Sequence, residues 1–190
     1  MCSYYLTTVD YMNDDWFLGF LEGEGLFTIN FTSRYRFIYP RLIFAICITE
    51  RDVLASIANF LLSKNIKSGL YHFKYHWKNL KNKPKIRKEQ WYLVVQKRES
   101  ILKMIPMLEK LEWHTNKYHT FQIWKDSVNL VYKRPCTKKN LIEISRMACQ
   151  FKSTKGPERK WTPEFIETNC IQLEDGRTRL VQDGADNRFN

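Results

Sequence analysis

The residues best suited to chemistry lie in Phe17-Leu18-Gly19-Phe20-Leu21-Glu22-Gly23-Glu24-Gly25. Gly19 and Gly23 are four apart, so on a helix they share one face and strip it of side-chain bulk. Such a helix can approach another almost backbone to backbone. If the other belongs to a second copy of the chain, two-fold symmetry brings two Glu24 carboxylates together at the shared C-terminal end. Two carboxylates beside two negative helix-dipole ends repel unless a cation sits between them. Hard divalent ions such as Mg²⁺ take oxygen ligands of this kind, and the arrangement suits metal-assisted phosphodiester hydrolysis. Periodicity alone equally allows an ordinary acidic helix end closed by glycine.

The elements that must position these residues are legible around them. Asn13, Asp14 and Asp15 offer cap oxygens and favourable charge for a helix starting near Trp16. Trp16, Phe17, Leu18, Phe20 and Leu21 make it apolar nearly all round, which predicts complete burial. After Gly25, Phe27, Ile29 and Phe31 alternate with Thr28, Asn30 and Thr32, and Arg34 and Arg36 continue the polar parity, as in a half-buried strand. Arg41 to Ile48 repeats the pattern, with Leu42, Phe44, Ile46 and Ile48 inward and Arg41, Ile43, Ala45 and Cys47 outward. Thr49-Glu50-Arg51-Asp52 opens a helix closed by Lys64-Asn65, and strands over 70–77 and 90–96 follow. Helices are predicted over about 99–111, 121–132 and 141–151, with Trp161-Thr162-Pro163-Glu164 as a further cap. The expected class is α+β, in the order αββαββα with an antiparallel sheet. Residues 1–135 form the expected core, 136–165 a helical extension and 166–190 a polar tail.

The chain has 190 residues and a formal net charge of +11, unevenly spread. Residues 1–30 carry Asp10, Asp14, Asp15, Glu22 and Glu24 and no Lys or Arg. From Lys64 to Lys103 there are 12 basic residues against Glu89 and Glu99. The densest run, Lys78 to Lys88, reads as a long basic loop between two strands. Its like charges repel one another, so a polyanion is the economical partner, although a solvated loop explains the run alone. Hydrophobic residues at 44% exclude a disordered polymer, and no apolar run approaches membrane-spanning length. The N-terminus lacks the basic-then-apolar pattern of a secretory signal. The five cysteines are scattered without CxxC spacing, so neither a disulfide framework nor a zinc site is expected. His72 and His76 are four apart, but on a strand that spacing separates them by roughly 13 Å, too far to share a metal.

The nine-residue stretch resembles the LAGLIDADG motif, with Gly19, Gly23 and Gly25 in place and glutamates for both acids. The resemblance extends over roughly residues 13–135, through the element order, the Ile48-Thr49-Glu50-Arg51-Asp52 helix start and Lys117 with Phe121 and Trp124 beyond. It implies a LAGLIDADG homing endonuclease: a saddle-shaped sheet and a metal-dependent double-strand break with short 3′ overhangs in a long near-palindromic DNA target, promoting intron mobility. By the resemblance, Glu24 binds the catalytic Mg²⁺ (or Mn²⁺) with the Gly23 carbonyl near it, and Lys117 and Glu50 complete the catalytic set. Glu22 matches the first acid, whose usual part is to finish the helix and stabilise the interface. Leu54 falls near a position often basic in relatives.

A single motif implies a homodimer, joined through Phe17, Gly19, Phe20 and Gly23. The DNA-contacting set is then Thr28, Asn30, Thr32, Arg34, Arg36, Arg41 and Cys47 with His72 and Lys74. Lys81, Lys83, Lys85, Arg87 and Lys88 grip phosphate. The alternatives on the same scaffold are an RNA maturase acting on intron RNA and a DNA-binding relative without nuclease activity. The resemblance also implies an organelle, chloroplast or mitochondrion, and in any case an intracellular setting without a membrane partner.

Overall fold

A helix that runs straight into a hairpin comes first among the described elements, and each boundary has a local cause. The computed structural model describes residues 12–73, 89–132, 136–151 and 161–181. Among them, α1 (Asp14–Glu24), β1 (Gly25–Arg34), β2 (Phe37–Ile48), α2 (Arg51–Ser63), β3 (Gly69–Phe73) and β4 (Gln90–Val95) follow the expected order. Next come α3 (Arg98–Glu109), α4 (Lys117–Tyr132), α5 (Lys138–Gln150), α6 (Pro163–Asn169), β5 (Cys170–Gln172) and β6 (Thr178–Leu180). The class is α+β, and the strand pairs β2–β4, β2–β6, β3–β4 and β5–β6 are antiparallel. Among the described residues no helix is long and apolar enough to cross a membrane. Two compact units divide the chain: the segments up to Phe27 and Ile43–Tyr118 form one, and Thr28–Leu42 with the residues from His119 onward form the other.

In the first unit, the Asn13 side chain accepts the Trp16 N–H at 2.8 Å and starts α1. Phe17, Leu18 and Leu21 are buried, and the Phe17 ring lies 5.2 Å from that of Phe60 on α2. The opposite face is open: Trp16 is 42% exposed, stacks on Phe20 at 5.1 Å, and stands beside the exposed Gly19 and Gly23. The expected burial all round therefore holds for one face only. A helix of uniformly apolar sequence does not say which face meets its own core. α2 buries Leu54, Ile57, Phe60 and Leu61. It stops with Asn65 at φ 60° and the bonds Ile66 N–H to Leu61 O and Asn65 N–H to Leu62 O, at 2.9 and 2.8 Å. Those bonds cap two orphan carbonyls, and the buried Ile66 seals the turn. The β2–β4 register runs from Phe44↔Val95 to Ile48↔Trp91, and β3 joins β4 from Gly69↔Val94 to Phe73↔Gln90. Phe27, Phe44, Ile46, Leu93 and Val95 are buried, as are Ile101, Met104 and Leu108 of α3.

In the second unit, β1 turns into β2 through Tyr35 and Arg36, both at positive φ (51° and 68°). Two consecutive left-handed residues are what a two-residue hairpin needs to match strand twist. Arg36 is therefore a turn residue and does not continue the polar row of β1. Ile38, Leu141, Ile166 and Cys170 form a core, with Phe31, Cys136, Trp161 and Leu180 packed against it. Thr137 and Thr162 cap α5 and α6 through their side-chain oxygens. Within the segment read as polar tail, β5 and β6 pair with each other, and β6 meets β2 at Phe37↔Arg179. Three residues each are too few to display an alternation; the turn between them is marked by Gly176 at φ 79°.

Phe17→Ala empties a packed position and should lower the unfolding free energy by about 3–5 kcal/mol in urea titrations at every protein concentration. Trp16→Ala should cost the isolated chain far less, because its ring packs chiefly on Phe20.

Candidate active site and nucleic-acid interface

The end of α1 is set by a close approach. Gly25 N–H donates to the Leu21 carbonyl, and a Cβ at residue 25 would lie 2.5 Å from that same oxygen. Gly25 has an ordinary φ of −68°, so glycine is needed here for space and not for backbone conformation. The Gly25 carbonyl accepts the Lys117 ammonium at 2.7 Å, which brings the first residue of α4 to the motif.

The two acids diverge because positions two apart on a helix differ by roughly 200° in direction. Glu22 turns into its own unit, where one carboxylate oxygen accepts the His114 N–H at 2.8 Å, the Thr115 N–H at 2.8 Å and the Thr115 hydroxyl at 3.0 Å. Desolvation pushes its pKa upward, but those hydrogen bonds outweigh it and hold the carboxyl below its usual range. Glu24 is exposed at the helix end. Glu50 precedes α2 as its cap residue, and its carboxylate accepts the Thr49 hydroxyl at 2.5 Å. Leu54 is fully buried in the core of the first unit.

Among the described residues no group of three or more His, Cys, Asp or Glu could hold a metal ion. One copy of the helix end supplies the Glu24 carboxylate and the Gly23 carbonyl, hard oxygen donors that suit Mg²⁺ but fall short of an octahedral shell. That donor set fits half of a site completed by a second copy. The face needed for such pairing is open, since a Cβ at Gly19 or Gly23 would meet nothing within 4 Å. Phe17 is not on it, being buried against Phe60; Trp16 takes its place beside Gly19, Phe20 and Gly23. The spacing 16, 19, 20 and 23 carried that signal.

On β1, Asn30 and Arg34 are exposed and Thr28 and Thr32 half-buried, while Phe27 and Ile29 of the opposite parity are buried. The Thr32 hydroxyl donates to the Tyr39 carbonyl at 3.4 Å. Arg41 is exposed on β2, as is Tyr39 of the same parity. Cys47 is half-buried and lies opposite Tyr92, which lies opposite Tyr71. His72 differs from its expected placement. It shares the face of Leu70, Trp91 and Leu93, donates a ring N–H to the Glu89 carboxylate at 2.9 Å, and stacks on Trp91 at 4.4 Å. Tyr71 and Phe73, 52% and 46% exposed, occupy the other face. Lys74, Lys81, Lys83, Lys85, Arg87 and Lys88 lie outside the described residues.

A family model described as LAGLIDADG endonuclease matches residues 17–128. No curated protein matches the chain. Among solved structures, it is similar to a homing endonuclease, I-TnaI, at 22% identity and TM-score 0.65, over 82% of this chain and 98% of that one. It is also similar to the archaeal intron-encoded homing endonuclease I-Vdi141I complexed with DNA, at 20% identity and TM-score 0.62, over 80% and 91%. I-SmaMI, bound to an uncleaved DNA target in the presence of calcium ions, gives 16% identity and TM-score 0.62, over 78% of this chain and 48% of that one. At these identities the likenesses show the fold.

The open glycine face has a measurable consequence for a chain kept monomeric by dilution. Gly19→Ala and Gly23→Ala should each leave its unfolding free energy unchanged or raise it by up to about 1 kcal/mol, since alanine favours helix and meets no clash. A loss of stability at high dilution would show that this face is packed within the single chain.

Proposed function

Because the chain belongs to the LAGLIDADG endonuclease family, we propose that it is a homing endonuclease acting as a homodimer. It makes a metal-dependent double-strand break with 3′ overhangs in a long near-palindromic DNA target and so promotes intron mobility. On the family resemblance alone, it works in an organelle. The observation that carries the reading is the divided labour at the end of α1: Glu24 exposed beside an open glycine face, with the Lys117 ammonium held 2.7 Å from the Gly25 carbonyl. The chain spans nearly all of I-TnaI but about half of I-SmaMI, in keeping with one motif per chain and two chains per enzyme. The DNA in the I-Vdi141I and I-SmaMI structures supports a duplex partner.

Glu24 and the Gly23 carbonyl would hold Mg²⁺ or Mn²⁺, with a second copy completing the shell. When bound, such an ion polarises the scissile phosphate and lowers the pKa of its water. Lys117 brings a fixed positive charge to the same helix end, where it offsets negative charge growing on the phosphate in the transition state. Glu50 is proposed to orient solvent from the start of α2. Asn30, Arg34 and Arg41 offer the donor and acceptor groups that read base edges or fix phosphates, with Thr28, Thr32 and Cys47 on the same parity. The lysines and arginine between 74 and 88 supply charge for phosphate contact.

The experiment is cleavage of plasmid DNA carrying the uninterrupted insertion site, selected from a randomised library. With Mg²⁺ the wild type should cut, and chelation should stop it. Glu24→Gln should abolish cutting while DNA affinity stays within about threefold, because the change removes metal-binding charge and leaves the phosphate contacts. Binding itself should fall steeply with salt, at a slope of about 0.9 per phosphate contacted. Cutting by Glu24→Gln would overturn the site, and splicing activity without DNA cleavage would favour intron RNA as the substrate.

A further inference from the structure

Lys117 reaches the motif from an irregular connection, and the first acid of the motif holds that connection in place. Between α3 and α4 the chain is anchored first by Trp113, whose indole N–H donates to the Leu108 carbonyl at 2.9 Å and whose ring lies 6.5 Å from that of Phe27. The next two residues are fixed by Glu22, one oxygen of which accepts from both main-chain N–H groups and from the Thr115 hydroxyl. The same hydroxyl accepts the Lys117 N–H at 3.2 Å, and the Thr115 carbonyl accepts the Tyr118 N–H at 3.2 Å, so Thr115 starts α4. From that start the Lys117 side chain extends to the Gly25 carbonyl, three residues beyond Glu22. The contacts close a ring: Glu22 to Thr115, Thr115 to Lys117, Lys117 to Gly25, and the backbone back to Glu22.

We infer that Glu22 is a positioning residue, which locks the turn that launches α4 and thereby holds the Lys117 ammonium at the end of α1. The inference rests on the proposed part of Lys117 in DNA cleavage. Three donors converge on one ionised oxygen, and such charge-assisted bonds are roughly twice as strong as neutral ones. An amide in its place keeps an acceptor but loses the charge, whereas alanine leaves two main-chain N–H groups and a hydroxyl to water. Glu22 is turned away from the exposed Glu24, so its effect on the reaction passes through Lys117.

The test uses the full-length protein with saturating DNA and Mg²⁺ under single-turnover conditions. Glu22→Ala should slow cleavage by about 10- to 100-fold with DNA affinity nearly unchanged, and Glu22→Gln should restore part of the rate. In a Lys117→Ala background, Glu22→Ala should change the rate by less than about twofold, since the group it positions is gone. Losses that multiply instead would overturn the inference. Reductive methylation read by mass spectrometry gives a second measure that needs no cleavage. Lys117 should be protected in the wild type by its bond to the Gly25 carbonyl and lose that protection in Glu22→Ala. Unchanged protection would also overturn the inference. If Glu22→Ala fails to fold, Thr115→Ala, which cuts the link between Glu22 and the Lys117 main chain, replaces it in both measurements. A wild type that never cuts but shows the shift in Lys117 reactivity would defeat the nuclease reading and leave the positioning intact.

Discussion

The narrow passage of the chain at Gly25 is the constraint on which the site depends. The residue ends a helix and begins a strand with no room for a side chain, because the Leu21 carbonyl occupies the place where a Cβ would go. Its N–H closes the helix and its carbonyl receives Lys117, so one residue joins three elements through main-chain atoms alone. The acids on either side of Gly23 take divergent directions from the helical turn itself, Glu22 onto His114 and Thr115 and Glu24 outward.

Much of this was legible in the sequence, for reasons that can be named. The cap at Asn13, the alternation over 27–34 and the Lys64-Asn65 stop are local signals written in consecutive residues, and each has its counterpart in the structure, whereas Ala45, expected outward on β2, is buried like Phe44 and Ile46. Resemblance to the family added Lys117, which stands far along the chain from the helix end it touches and carries no local mark.

What escaped the sequence depends on partners it does not display. The strand holding His72 has apolar and aromatic side chains on both parities, so its face is decided by register with β4, and that register sets His72 over Trp91. α1 is apolar almost throughout, so only the position of Phe60 tells that Phe17 is core and Trp16 is not. Arg36 follows the polar parity of β1, but the hairpin turns one residue before it, and the backbone there is left-handed. Strands of three residues, such as β5 and β6, exist because they pair, not because their residues favour extension.

The period-two alternation of β1 has an evolutionary consequence. Phe27 and Ile29 answer to the core, and Asn30 and Arg34 answer only to what lies outside. Exposed substitutions away from special contacts usually shift stability by no more than about 0.5 kcal/mol. The strand thus carries two nearly independent messages in one stretch of chain. Selection can rewrite the outward one, a residue at a time, through intermediates that remain folded.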